Sequence, residues 1–420
     1  MSRAANYTYS KVCVQCADQA TSYIDEDKSL LPMRILLLNP FHGGSHAAWA
    51  RTYAAHSSHD IDLVTLPDRH WKWRMHGAAV QLAQQIAPVR EAGYDLLLTT
   101  DMLDLATLLG LRPDLGALPT VVYFHENQLT YPWSDDDPDA QRGLDRRYAW
   151  INYTTALAAT QVWFASDYHR AVWQEALPSF LHAFPQGRKL PTPQLSKSRV
   201  LPLALDLDRL CSTTRPARDG GAPIVVYNHR WEYDKGPDDF FDVLMQLADE
   251  GCAFRLVVLG ESFARTPPVF AKAQQYLAGR ILHWGYAPSR KEYEDWLLRA
   301  DIALVTAHHD FFGIAVVEAI AAGVQPVLPK GLKQETREAP YREHLSAQEW
   351  AAAQYSNRAA CLQKMRSLLT AQGVSGSGVE ARRVARRQLV RQRYGVLGVV
   401  KRYDSALAQT RAAHSSRLNS

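Results

Sequence analysis

Residues 208–229 read DRLCSTTRPARDGGAPIVVYNH. The first sixteen letters are rich in proline, glycine and charge, and read as a connection. The last six, IVVYNH, open like a strand buried on both faces. A connection that ends in a fresh buried strand divides the chain in two. On its N-terminal side, short apolar runs at Arg34 to Leu38, Ile61 to Thr65, Asp95 to Thr99, Thr120 to Phe124 and Gln161 to Ala165 read as parallel strands. Amphipathic stretches such as Gly77 to Glu91 and Leu144 to Ala158 separate them with helical spacing. On its C-terminal side the alternation restarts with IVVYNH, FRLVVLG, ILHW, IALVTA and VQPVLP.

The expected fold is therefore α/β, with two Rossmann-like doubly wound domains facing across a cleft. A length of 420 residues agrees with two cores rather than one. The expected boundaries are a disordered leader at 1–32, a first domain at 33–207, a linker at 208–222, a second domain at 223–372 and a basic helical segment at 373–420. In that last segment Arg382, Arg383, Arg386, Arg387, Arg391 and Arg393 recur at helical spacing, as a solvated face or a nucleic-acid contact would.

An apolar share of 47% with 21% charged residues is that of a folded protein. The longest apolar runs, such as RILLLNPF, are far shorter than the roughly 18 residues of a membrane span. The leader lacks an export signal, and Cys13 and Cys16 form a CVQC with no second pair to complete a zinc site. Scattered Cys211, Cys252 and Cys361 suit a reducing compartment, so a cytoplasmic protein is expected. The formal charge of +4 permits an anionic partner without demanding one. The sequence does not fix an oligomeric state.

Four blocks carry chemistry. NPFHGGSH (39–46) follows the first strand, and Gly43 and Gly44 allow close backbone approach at a helix start, as they would in any tight turn. In RWEYDK (230–235), Arg230 and Lys235 bracket a strand-to-helix turn, where two cations suit a diphosphate or form a surface cluster with Glu232 and Asp234. HHDFFGIAVVEAIAAG (308–323) places Asp310 after a strand and Glu318 on the next helix, two acceptors suited to sugar hydroxyls. The N–H groups of Phe312 and Gly313 lie between them. YFHENQLTYP (123–132) sets His125, Glu126, Asn127 and Gln128 at a strand end. A fifth stretch, DRHWKWRMH (68–76), interleaves Trp71 and Trp73 with Lys72 and Arg74. It reads as a strand with one wet face, as core tryptophans under a loop, or as a surface for bases and phosphates.

Taken in order, these blocks resemble the GT-B glycosyltransferases of the retaining group whose signature is two acidic residues separated by seven, here Asp310 and Glu318. They resemble more closely the tRNA-queuosine mannosyltransferase family, also called glycosyltransferase-like domain-containing protein 1. NPFHGGSH, LPDRHWKWR, RPDLG, YFHENQLTYP, HRWEYDKGP, VLGESF, LHWGY and HHDFFGIAVVEA look like that family's blocks, from about Met33 to Pro329.

The resemblance implies transfer of mannose from GDP-mannose to queuosine in a tRNA anticodon loop, with retained anomeric configuration and no metal or other cofactor. It implies that Arg230 and Lys235 hold the diphosphate, Glu318 the ribose and Asp310 the mannose, with Gly43 and Gly44 closing over the phosphates. Phe312 and Gly313 would offer N–H groups to the donor, Gly260, Glu261 and Tyr286 would line the nucleotide pocket, and His125 would stand beside the anomeric carbon. The acceptor tRNA would meet His46, Trp71, Lys72, Trp73, Arg74, Glu126, Asn127 and Gln128. Asp310 departs from the glutamate usual at that position, which bears on the choice of hexose. The same donor motifs would serve a glycan, lipid-carrier or metabolite acceptor, and a non-catalytic RNA-binding protein could retain the scaffold.

Overall fold

The computed structural model describes residues 32–134, 136–262, 266–332, 337–370 and 377–418. Cys13, Cys16, the rest of the leader and residues 371–376 lie outside them. The first sheet holds β1 (Arg34–Asn39), β2 (Asp60–Thr65), β3 (Leu96–Thr100), β4 (Thr120–Phe124), β5 (Gln161–Phe164) and β6 (Ser198–Val200). The second holds β7 (Ile224–Tyr227), β8 (Arg255–Val258), β9 (Ile281–Trp284), β10 (Ile302–Leu304), β11 (Gln325–Pro329) and β12 (Gln354–Tyr355). Every pairing in both is parallel.

These runs become strands because both faces are covered. In β1, β3 and β4, Ile35, Leu37, Leu96, Leu98, Val121 and Tyr123 point into one core, whereas Leu36, Leu38, Leu97, Val122 and Phe124 point into another. The first of these cores continues through Ile224, Val226 and Val257 of the second sheet.

Strand order decides where a ligand can lie. The first sheet runs β2-β1-β3-β4-β5-β6 and the second β12-β11-β10-β7-β8-β9. The direction of winding therefore reverses between β1 and β3, and again between β7 and β10. Doubly wound sheets bind ligands beyond the strand ends at such reversals. NPFHGGSH follows β1, RWEYDK follows β7 and HHDFFG follows β10, so three of the four blocks stand at these two points. The HENQ block stands one strand further, after β4.

The arginine stripe is solvated only in part: Arg382 and Arg391 are exposed, whereas Arg386 and Arg387 turn inward. It lies on helix Ser377–Tyr394, which packs against helix Ile314–Ala321. Arg386 is buried against Glu349 at 2.6 Å. Arg387 donates to the carbonyls of Ala321, Leu210 and Thr213 at 3.1, 2.5 and 2.7 Å. A cation there satisfies an orphan carbonyl, that of Ala321, at the C-terminal end of the helix carrying Glu318. The last helix, Val396–Leu418, returns to the first sheet, where Trp49 donates to Tyr403 at 3.3 Å and Tyr53 to Asp404 at 3.0 Å. No described helix is long and apolar enough to cross a membrane.

DRHWKWRMH is not a strand. Its tryptophans open helix Trp71–Gln85, entered through His70 at φ 56°, a left-handed conformation. Trp73 lies across Gly77, where an added Cβ would meet the indole at 2.6 Å. The alternation of two letters was the start of a helical turn.

Candidate active site

At the second reversal, the short turn Tyr233–Lys235 leads into helix Pro237–Asp249 and points Lys235 inward. Its Nζ donates to the carbonyl of His309 at 3.1 Å and lies 3.0 Å from Asp234 and 3.4 Å from Asp310. Burial works against the lysine charge, yet Asp234 and Asp310 more than reverse this and raise its pKa. Burial likewise works against ionised Asp310, and Lys235, His229 and a 3.0 Å bond from Tyr341 hold its pKa below the ordinary value. Arg230 is the more exposed cation, paired with Glu232 at 3.0 Å. The two cations and Asp310 thus share one strand-end shelf.

Glu318 is buried on the first helical turns after Gly313 and is held by residues outside its own block. Arg290 donates to one carboxylate oxygen at 2.6 Å and Tyr293 to the other at 2.7 Å. Asn228, at the end of β7, donates to the Tyr293 hydroxyl at 3.3 Å. Each oxygen keeps a second lone pair for a hydroxyl. Gly313 adopts φ 90°, and a Cβ there would meet Tyr341 at 2.6 Å, so glycine is required on both counts. Phe312 is buried and its carbonyl accepts from His344 at 2.7 Å. Tyr286 stands 69% exposed in the loop after β9, and Gly260 and Glu261 follow β8.

One strand beyond the first reversal, His125 packs among His46, Trp49 and Tyr123, with ring centroids 4.4, 4.8 and 4.8 Å away. Burial pushes both His46 and His125 down to about 3, so both rings are neutral at physiological pH. Glu126 accepts from Gln128 at 2.9 Å. A Cβ on Gly43 would lie 2.0 Å from the Asp68 carboxylate, so its glycine is already demanded by that close approach, while Gly44 faces open space at φ 48°.

Several expected tRNA contacts are committed inside the fold. Asn127 is fully buried and accepts from the N–H groups of Leu129 and Thr130 at 3.1 and 2.9 Å, which makes it a turn former. Arg74 is buried on the Pro67 carbonyl and Gln81, at 3.0 and 2.8 Å. Lys72 sits between Asp137 and Asp139 at 2.6 and 2.7 Å. Trp71 packs on Trp133 and Tyr148, at 5.7 and 5.2 Å. Of Trp71, Lys72, Trp73 and Arg74, Trp73 alone is exposed, at 56%.

The two halves meet beside this site. Tyr233 donates to the Pro132 carbonyl at 2.7 Å and Ser166 to that of Phe311 at 2.6 Å. Glu343 accepts from the N–H groups of Asp167 and Tyr168 at 3.1 and 2.8 Å, capping a helix of the first half from the second. Sequence reasoning passed over Asn228, Arg290, Tyr293 and Tyr341, because each acts through a neighbour distant in sequence.

Comparison with known proteins gives this geometry its family. A family model described as tRNA-queuosine alpha-mannosyltransferase N-terminal matches residues 34–205, and one for group 1 glycosyl transferases matches residues 213–332. A tRNA-queuosine alpha-mannosyltransferase of Drosophila melanogaster is 33% identical over 308 residues, covering 71% of this chain and 80% of that protein. The chain belongs to the tRNA-queuosine alpha-mannosyltransferase family. A GDP-mannose-dependent alpha-(1-6)-phosphatidylinositol dimannoside mannosyltransferase of Mycobacterium tuberculosis is 29% identical over 138 residues, 31% of this chain and 35% of that one. Among solved structures, sucrose-phosphate synthase from Thermosynechococcus elongatus superposes with a TM-score of 0.63 at 14% identity, over 91% of this chain and all of that one. Anabaena Alr3699/HepE in complex with UDP and glucose gives 0.60 at 14% identity, over 90% of this chain and all of that one. The fold of this tRNA-queuosine alpha-mannosyltransferase family member is GT-B.

Proposed function

We propose that the chain transfers mannose from GDP-mannose to the queuosine of a tRNA anticodon loop, with the anomeric configuration retained. One combination supports this reading: Arg230, Lys235, Asp310 and Glu318 gather at the reversal of the second sheet, in a chain whose first half matches the tRNA-queuosine alpha-mannosyltransferase N-terminal model. Family membership supports the acceptor; the carboxylates and cations support a nucleotide-sugar donor.

In the reaction, the bond from the anomeric carbon to the diphosphate oxygen breaks and a bond to the queuosine hydroxyl oxygen forms on the same face. The hydroxyl proton passes to the departing phosphate. Negative charge grows on the diphosphate, where Arg230, Lys235 and the N–H groups ahead of helix Ile314–Ala321 stabilise it. Asp310, tethered by Lys235 and Tyr341, holds the hexose with a shorter arm than glutamate would.

Incubation with GDP-mannose and queuosine-containing tRNA, followed by mass analysis of the digested nucleosides, is expected to show one added hexose. Failure to add a hexose from any nucleotide sugar would sink the reading. Trp73, free on the first domain, is the ring on which an unpaired base would stack. Trp73→Ala is expected to weaken tRNA binding by about 1 to 3 kcal/mol, the usual worth of one base stacked on an aromatic ring. GDP-mannose affinity, measured by calorimetry, should not change. Equal loss of both ligands would instead make Trp73 structural.

A further inference from the structure

Asp101 follows β3, on the other side of the first reversal from NPFHGGSH. It is 1% exposed, and one oxygen accepts the backbone N–H of His125 at 2.8 Å. The same oxygen lies 3.7 Å from His125 Nδ1. Its backbone carbonyl accepts from Asn152 at 2.8 Å, and Asn152 in turn accepts the N–H of Gln128 at 2.7 Å. One aspartate thus fixes both ends of the HENQ block.

The His125 ring has little freedom of its own. It is walled by His46, Trp49 and Tyr123, and its side chain is 5% exposed. Among the described residues no protein group hydrogen-bonds either ring nitrogen. Leaving a buried polar atom unpaired is costly, so a ring nitrogen with no protein partner is a sign of a partner supplied by substrate. With Nδ1 turned to Asp101, the other nitrogen is the one left for a hydroxyl. Catalytic hydrogen bonds are often long until substrate tightens them, which accommodates the 3.7 Å separation.

We propose that Asp101 is a positioning residue for transfer: it holds the proton of His125 on Nδ1 and so presents Nε2 as a bare acceptor to a hydroxyl at the reacting centre. This rests on the reading of His125 as a contact at the reacting centre. Asp101 acts through the imidazole and touches neither reactant.

Asp101 must be ionised to do this. Burial pushes its pKa up to about 6, against His46 and the backbone N–H groups of His125 and Glu126. Glu126, beside it, is pushed to about 7 by burial and then by Asp101, with Arg230 opposing and Asp234 and Glu232 adding to the rise. The pKa of Asp101 sets the sign of the pH effect: turnover falls as pH drops through about 6, where the carboxylate takes up a proton.

The test uses Asp101→Asn in the full chain, with queuosine tRNA and GDP-mannose. Its kcat is expected to fall by about 100-fold, the scale of a slightly misplaced reacting group. KM for GDP-mannose should hold, and the acidic limb near pH 6 should vanish because asparagine does not titrate. Glu126→Gln, whatever its rate, should keep that limb. A kcat within threefold of wild type, or a limb that survives in Asp101→Asn, overturns the proposal. Should that variant not fold, nitrogen-15 spectra of the wild-type histidines decide, the His125 signals being those missing from His125→Gln. A proton on Nδ1 near neutral pH supports the proposal and a proton on Nε2 overturns it. A wild type that adds no hexose to the tRNA overturns the proposed function, and the spectra then judge Asp101 separately.

Discussion

Lys235→Ala is expected to lower kcat by about 100- to 1,000-fold, the usual effect of removing one group that stabilises transition-state charge. It is also expected to destabilise the fold by about 3 to 5 kcal/mol, because a buried ion network loses its cation. The second effect follows from geometry rather than motif. Asp234 is 1% exposed and Asp310 16%, and both carboxylates approach the single Lys235 ammonium. Without it, two buried negative charges face each other. Single-site activity loss is therefore ambiguous, and a paired substitution separates the causes. Asp234→Asn combined with Lys235→Met removes one charge of each sign and fills the space, so it should recover most of the stability in urea unfolding but none of the turnover. Recovery of turnover in the paired variant would show that Lys235 serves only the fold.

What could be read from the sequence, and what could not, divides along the same line. Buried parallel strands announce themselves, because coverage on both faces forces unbroken apolar runs such as Leu96–Leu98 and Val121–Phe124. Blocks at strand ends were visible for the same reason: polar letters that follow such a run fall at the sheet edge. Partnerships across the chain were not visible. Glu318 reads as an acid on an apolar helix, and only the fold brings Arg290 and Tyr293 to it. The arginine stripe reads as surface, and only the fold places Arg387 over three carbonyls from two separate helices' ends. Asp101, in TTDMLD, looks like an approach to a helix whose cap is in fact Asp104, which accepts from Thr107 at 3.0 Å. The WKW letters misled because a period of two over three residues cannot be told from the first turn of a helix.

Glu318→Ala should act on the donor rather than on the fold. Arg290, one of the two groups left without a carboxylate, is half exposed and retains Glu294 at 2.7 Å, so water and that partner absorb much of the loss. Tyr293 keeps its contact with Asn228. Thermal stability should therefore fall far less than in Lys235→Ala. Donor use is another matter, because a carboxylate taking two ribose hydroxyls makes two charge-assisted hydrogen bonds of about 1.5 to 3 kcal/mol each. Their loss corresponds to a fall in kcat/KM of about 100-fold to more than 10,000-fold. The decisive measurement pairs protein and donor: wild-type enzyme should discriminate strongly between GDP-mannose and its deoxyribose analogues, whereas Glu318→Ala should treat them alike. A coupling energy near zero in that cycle would remove Glu318 from the ribose, since two groups that do not touch show additive losses. Strong coupling would fix the nucleoside at helix Ile314–Ala321, with its diphosphate directed toward Lys235 and its hexose toward Asp310.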